Sequence, residues 1–158
     1  MRSVLGEACW LLHPRPTVLV VAVDGEGRPN VMACSWNMPV SEEPPMVAIA
    51  LDVEGYTNQL IKESGEFTLN IPSRELLGQV WIAGTRSGRE VDKLRLMGLK
   101  TKPSRKLRTP VLAGCVAHLE CKVVRAVETG DCTTFIAEVV DAYAEPETFE
   151  KTWKLDKV

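Results

Sequence analysis

The chain changes repeatedly between short apolar runs and turn-forming polar clusters. Thr17 to Val23 (TVLVVAV) is a β-branched run that predicts a buried strand. Asp24-Gly25-Glu26-Gly27 supplies turn chemistry, and Pro29 to Trp36 (PNVMACSW) reads as the partner strand of a hairpin. Pro39, Pro44 and Pro45 then mark a loop, and Met46 to Asp52 (MVAIALD) forms a third strand. Thr57 to Ser64 predicts a short helix stopped by Gly65, and Glu66 to Ile71 a fourth strand closed by Pro72. Leu76, Leu77, Val80 and Trp81 recur at helical spacing behind Ser73, a cap residue. Arg89 to Met97 predicts a third helix ending at Gly98, and Lys100 to Arg108 a basic, solvated loop. Gly114 to Val127 and Cys132 to Tyr143 are two longer strands across the turn Glu128-Thr129-Gly130-Asp131.

Six strands joined mostly by hairpins point to a mainly β fold, an antiparallel six-stranded barrel with a few short helices in its connections. The helices do not alternate with strands as βαβ units require, so a doubly wound sheet is the weaker reading. Neither a linker nor an internal repeat divides the chain, and residues 1–158 read as one domain.

Composition narrows the function. Lysine and arginine number 19 and aspartate and glutamate 21, a net charge of −2, which gives no footprint for nucleic acid or an anionic membrane. No all-apolar stretch is longer than Val18 to Val23, far too short to span a bilayer, and with Glu7 and no long apolar run near the N-terminus a secretory leader is not expected. Cys9, Cys34, Cys115, Cys121 and Cys132 are odd in number and scattered, which argues for a reducing, cytoplasmic setting. Cys115, His118 and Cys121 are spaced like ligands, but alternation along a strand would turn His118 away from the two thiols; no metal site is expected. Phosphate-loop, dinucleotide, nucleophile-elbow and zincin motifs are absent, and two histidines leave little for a nucleophile–base pair. No catalytic side chain is assigned. If the protein is an enzyme, a cofactor carries its chemistry.

Three segments are more polar than a barrel needs. In Asn30 to Val40 (NVMACSWNMPV), Trp36 beside small residues can flank a flat aromatic ligand, or simply pack in a core or interface. At the strand-to-helix corner Asp52 to Asn58 (DVEGYTN), Thr57 and the free N–H groups of a helix start suit a phosphate, or serve as an ordinary cap. In Ser87-Gly88-Arg89, with Asp92 and Lys93, Gly88 permits close backbone approach. Arg89 and Lys93, four apart on one helical face, either clamp an anion or form a solvated surface.

The ordered set S-W-x-x-P-V, Y-T with E-S-G-E-F, and S-G-R-x-x-D-K resembles the flavin reductase-like family of FMN-binding split β-barrels, which includes flavoredoxins. The likeness runs from about Pro14 to Ala142. It implies a homodimer that holds FMN near the subunit interface. Asn30 and Trp36 would lie by the isoalloxazine, and the backbone of Met32, Ala33, Cys34 and Ser35 would line its polar edge. Ser35 could also bond the ribityl chain or the phosphate. Ala50, Leu51, Asp52, Tyr56 and Thr57 would continue the ribityl and phosphate site, and Ser87, Arg89 and Lys93 would serve the phosphate. Gly55 stands where the family often has a basic residue, which shifts weight to Arg89 and Lys93. Met32 replaces a common threonine and Cys132 a common histidine.

The resemblance implies a reductase in which NAD(P)H, a transient donor, passes electrons through FMN to an acceptor: free flavin, a protein or a metal ion. The alternative is an FMN-binding electron carrier reduced by a protein partner. A flavin-free dimeric interaction module and thiol redox chemistry at Cys34 or Cys132 complete the readings.

Overall fold

The structure is a computed structural model that describes residues 3–156. The termini of the span read as one domain, residues 1–2 and 157–158, lie outside the described residues.

A 3-10 helix, Leu5–Leu12, leads into strand β1, Val18–Val23. β2 (Pro29–Cys34), β3 (Asn37–Ser41) and β4 (Met46–Asp52) follow, then helix α1 (Tyr56–Ser64) and β5 (Glu66–Ile71). A 3-10 turn, Arg74–Leu76, precedes α2 (Leu77–Thr85), and α3 (Lys93–Met97) precedes the two-residue strands β6 (Thr101–Lys102) and β7 (Val111–Leu112). The long hairpin β8 (Ala117–Thr129) and β9 (Cys132–Ala144) closes the chain.

Seven strands form one antiparallel sheet in the order β2-β1-β5-β8-β9-β4-β3, and β6-β7 is a separate pair. The fold is mainly β, as the patterning predicts, with one strand more than expected in the sheet. The extra strand is β3, in the segment that Pro39 marks as a loop. Proline survives there because β3 is the last strand of the sheet, and the register slips between Pro39 and Ser41. β2 and β3, consecutive in sequence, are the opposite ends of the strand order, which leaves the barrel split between them.

The apolar run of β1 is buried throughout because both its faces are covered. Val18, Val20 and Ala22 point into the barrel with Cys34, Ile49, Leu51, Leu60, Phe67 and Phe135. Leu19 and Val21 face the other way, against Val31, Ala83, Met97 and Leu112 beneath α2 and α3. The predicted strand from Gly114 begins only at Ala117, so Cys115 escapes the alternation: it joins the outer cluster, Cys121 the inner one. His118 is held by Asn70 Oδ1 at 2.8 Å.

The basic loop Lys100 to Arg108 is fastened from below. Fully buried Glu120 accepts the backbone N–H groups of Arg105 (2.6 Å), Lys106 (2.7 Å) and Leu107 (3.1 Å), and the Tyr143 hydroxyl at 3.1 Å. Glu66 accepts the Thr109 N–H at 2.7 Å.

Candidate functional site

Two contiguous recesses open beside the N-terminus of α1. The smaller, of about 320 Å³, is lined by Met32 and Ala33 of β2, Asp52 to Thr57 except Val53, Ala83 and Gly84 of α2, and the Arg86 to Arg89 loop. The larger, of about 600 Å³, continues past Asn30, Tyr56, Gly88, Arg89 and Lys93, which line both, to Asp24, Arg28, Val91 and Leu94.

The corner at α1 is built locally. Asp52 Oδ1 accepts the Glu54 N–H at 2.8 Å, and its carbonyl accepts that of Gly55 at 3.0 Å, turning β4 into the helix. Gly55 is the N-cap and no side chain caps the helix. The first N–H groups of α1 therefore have no intrahelical acceptor and face the recess end of the helix dipole. Thr57, read as a possible cap, instead accepts from Asn30 Nδ2 at 2.8 Å. A Cβ on Gly55 would stand 3.0 Å from the Asp52 carbonyl, which disfavours the basic residue the family often carries there.

Arg89 occupies that corner from across the recess. Its guanidinium donates to the Glu54 carbonyl (3.0 Å) and to Gln59 Oε1 (3.1 Å), and lies 5.1 Å from the centre of the Tyr56 ring. Ser87 Oγ accepts the Arg89 N–H at 3.2 Å, fixing the loop. Lys93 is only 5% exposed, and Nζ donates to the Ala83 carbonyl at 2.9 Å. Burial pushes its pKa down to about 8. One acceptor for a three-donor ammonium leaves two donors for a ligand in either recess.

The expected helical pair of Arg89 and Lys93 is corrected. Helix α3 starts at Lys93, capped by Asp92, which accepts from the Arg95 N–H at 3.0 Å. Arg89 sits in the preceding turn, where the Glu90 and Val91 N–H groups close onto the Ser87 carbonyl. Loop geometry, rather than helical spacing, brings both cations to one wall.

Of the fourteen residues that the resemblance assigns to the FMN site, nine line these recesses: Asn30, Met32, Ala33, Asp52, Tyr56, Thr57, Ser87, Arg89 and Lys93. Asn30 lies at the α1 end of the recess, not beside Trp36: its amide is trapped between Thr57 and Gly88, where an added Cβ would collide with Asn30 Oδ1. Trp36 and Ala50 line a different recess with Arg15, Asn37, Met38, Ala48, Ile49 and Thr134, and share no residue with the first two. Cys34 and Leu51 point into the barrel core. Ser35 is half-buried in the short link between β2 and β3. Cys132 pairs in register with Asp52 but does not line the recess.

Sequence reasoning missed Arg28, Asp24, Arg86, Val91 and Leu94 as recess residues. The β1–β2 turn brings in the first two, and nothing in their local pattern signals it. Burial pushes the thiols of Cys34 to about 11 and of Cys115 and Cys121 to about 12, which leaves them poor nucleophiles. Among the described residues no cluster of three or more His, Cys, Asp or Glu could hold a metal ion.

An antiparallel barrel split between β2 and β3, with a polar recess against an open helix N-terminus, defines a split β-barrel. The flavin reductase like domain pattern matches residues 10–155. The chain aligns over its full length, and 82% of the other, with flavoredoxin from Desulfovibrio vulgaris at 32% identity and a TM-score of 0.85. An FMN-binding domain of a flavin reductases-like enzyme from Shewanella baltica is 31% identical over 99% of this chain and 83% of its own, with a TM-score of 0.81. Flavin reductase (NADH) from Kitasatospora aureofaciens is 30% identical over 85% of this chain and 68% of that protein. The chain belongs to the flavin reductase-like family.

Proposed function

We propose that the protein is an FMN-binding oxidoreductase that passes electrons from NAD(P)H through FMN to an acceptor: free flavin, a protein or a metal ion. The observation that carries this reading is the smaller recess, where the uncapped start of α1, Arg89 and the under-partnered Lys93 converge beside the β2 backbone. Helix N–H groups and two cations suit a phosphate. Thr57 and Ser87 add hydroxyls at the same wall. Met32 and Ala33 of β2 line the same recess, and Trp36 and Ala50 line a separate one, where a flat ring at the far end of a ribityl chain would have to lie.

The isoalloxazine supplies the hydride-accepting and electron-donating chemistry that the lining side chains lack. The chain's own work is to hold and orient. Arg89 is itself steadied by Glu54 and Gln59. Neither histidine lines the recess, so no side-chain acid or base is assigned.

A homodimer accounts for the apolar surface at the split. Trp36, Met38 and Val40 are 38%, 54% and 41% exposed, and Trp10, Leu11 and Leu12 add to them. No helix among the described residues is long and apolar enough to cross a membrane. The scattered free thiols suit a cytoplasmic setting.

The test is titration of the flavin-free protein with FMN, followed by its fluorescence, and then oxidation of NADH and NADPH by the loaded protein. Saturable uptake with turnover supports the reading; failure to take up FMN sinks it. An electron carrier reduced by a protein partner is the second reading, kept by the likeness to flavoredoxin. It predicts FMN uptake without NADH or NADPH oxidation.

A further inference from the structure

The recess beside Trp36, of about 180 Å³, holds a cation that nothing in the protein neutralises. Trp36, Met38, Ala48, Ile49 and Ala50 give it an apolar wall, and no acidic side chain lines it. Arg15 stands in that wall, half-buried, and donates from Nη2 to the Asn37 carbonyl at 3.3 Å. Among the described residues no carboxylate comes within ion-pair distance of its guanidinium. One carbonyl leaves most of its five N–H donors without a protein partner.

The position of this charge is fixed. Pro14 and Pro16 flank Arg15 and narrow its backbone freedom. Asn37 Nδ2 donates to the Pro16 carbonyl at 3.0 Å and ties the entry segment to β3. The guanidinium stays protonated at every working pH. The ionisable groups around it do not cancel it. Cys34, which feels the charge of Arg15, has its thiol pushed up to about 11 by burial. Burial raises the Cys132 thiol beyond it as well, so both are neutral at pH 7. Asp52 and Asp131 lie on the Cys132 side, and Asp52 lines the smaller recess instead. His13 turns to the Trp10 ring, with centroids 5.5 Å apart. A fixed cation in an apolar recess favours a ligand that becomes negative there.

We propose that Arg15 is the residue that sets the redox balance of the bound flavin, by holding the negative charge the ring acquires on reduction. The inference rests on the flavin reading above, which puts the ring in this recess. A nicotinamide that gives up a hydride leaves oxidised, and the flavin gains two electrons, one proton and one negative charge. Oxidised flavin has a neutral ring, so Arg15 discriminates between the two states rather than binding both alike. Arg15 is a positioning charge: it takes no proton and forms no bond with the donor.

The experiment is a spectroelectrochemical titration of the full-length, FMN-loaded protein from pH 5 to 9, with Arg15→Met, Arg15→Lys and free FMN in the same cell. One proton per two electrons gives a slope of about 30 mV per pH unit, and two protons about 59 mV. The wild type is expected to change from the steep slope to the shallow one at least about one pH unit below free FMN. Arg15→Met is expected to lower the preference for reduced over oxidised FMN by about tenfold, a fall of about 30 mV, and to move the break back up. Affinity for oxidised FMN should stay within about twofold, and Arg15→Lys should stay nearer the wild type. An unmoved potential in Arg15→Met overturns the proposal, even if both redox states bind more weakly, because Arg15 then only latches the entry segment to β3. Arg15→Lys falling as far as Arg15→Met also overturns it. If Arg15→Met fails to fold by circular dichroism, the wild-type profile decides: a break at or above that of free FMN overturns the proposal. Failure to take up FMN removes the flavin reading with it, whereas uptake with an unmoved potential removes the inference alone.

Discussion

Gly88→Ala tests how the wall between the two recesses is built. The new Cβ would lie 2.8 Å from Asn30 Cγ and 3.1 Å from Tyr56 Cδ1, and closer still to Asn30 Oδ1. Asn30 cannot simply swing aside, because its Nδ2 is bonded to buried Thr57 at 2.8 Å. Either the loop from Ser87 lifts off β2 or that hydrogen bond breaks. Overpacking costs about 1–3 kcal/mol, and the lost bond about 0.5–1.5 kcal/mol more. For a chain of this size roughly 2–4 °C of melting temperature follows each kcal/mol. The decisive measurement is a double-mutant cycle with Asn30→Ala, read by thermal unfolding. Removing the amide also removes the collision, so the double variant should be more stable than the sum of the single losses by about 1–3 kcal/mol. Flavin affinity should fall in Gly88→Ala and partly return in the double variant. Single effects that add to within about 0.5 kcal/mol would refute the steric account.

Lys93 has its pKa at about 8 in place of 10.5, so phosphate affinity should weaken as pH rises through 8, in a titration of Kd from pH 7 to 10; Lys93→Met should flatten the profile. The stability of the unliganded protein should move the opposite way: between pH 8 and 10.5 the unfolded chain binds more protons, so folding becomes more favourable as pH rises. Glu120→Gln turns an amide donor toward N–H groups that now meet carboxylate oxygens; losing about two charge-assisted bonds should cost roughly 3–6 kcal/mol in urea unfolding, without changing flavin affinity. His118 is held at a pKa of about 4, chiefly by burial, so its contribution to stability should be lost as pH falls from 6.5 toward 4, and His118→Asn should lessen that acid sensitivity. Thiol labelling at neutral pH should mark exposed Cys9 first and reach Cys34, Cys115 and Cys121 only on unfolding.

How far the sequence could be read depends on where the determining contacts lie. β1 was legible because a six-residue β-branched run has few other uses, and α1 because Gly65 ends it with φ at 70°. Three predicted segments came together at one recess because each was local: a strand end, a helix start and a glycine-bearing turn. β3 was hidden by Pro39, whose tolerance depends on the strand being an end of the sheet, a property of topology. The shape of the basic loop was hidden because Glu120 and Glu66 hold it from 13 to 43 residues away. The separation of Trp36 from Asn30 was hidden too, since both lie in one sequence segment yet open onto different recesses.

The place where β2 passes to β3 has a mechanical consequence. Neighbours in the strand order are joined by backbone ladders, whereas β2 and β3 pair through none and are tied by a side chain. Asn37 Nδ2 reaches the carbonyls of Pro16 and Cys34, both at 3.0 Å, while the Ala50 N–H, at 3.0 Å from the Trp36 carbonyl, continues the β3–β4 ladder by one residue. Breaking the Asn37 bonds parts β3 from β2 without disturbing the ladders of β1 or β5. This seam is therefore the cheapest place for the barrel to open, and its amides should exchange with deuterium well before those of β1. The ends of the sheet are thus the one junction of the barrel whose strength depends on a side chain, Asn37, and not on the backbone.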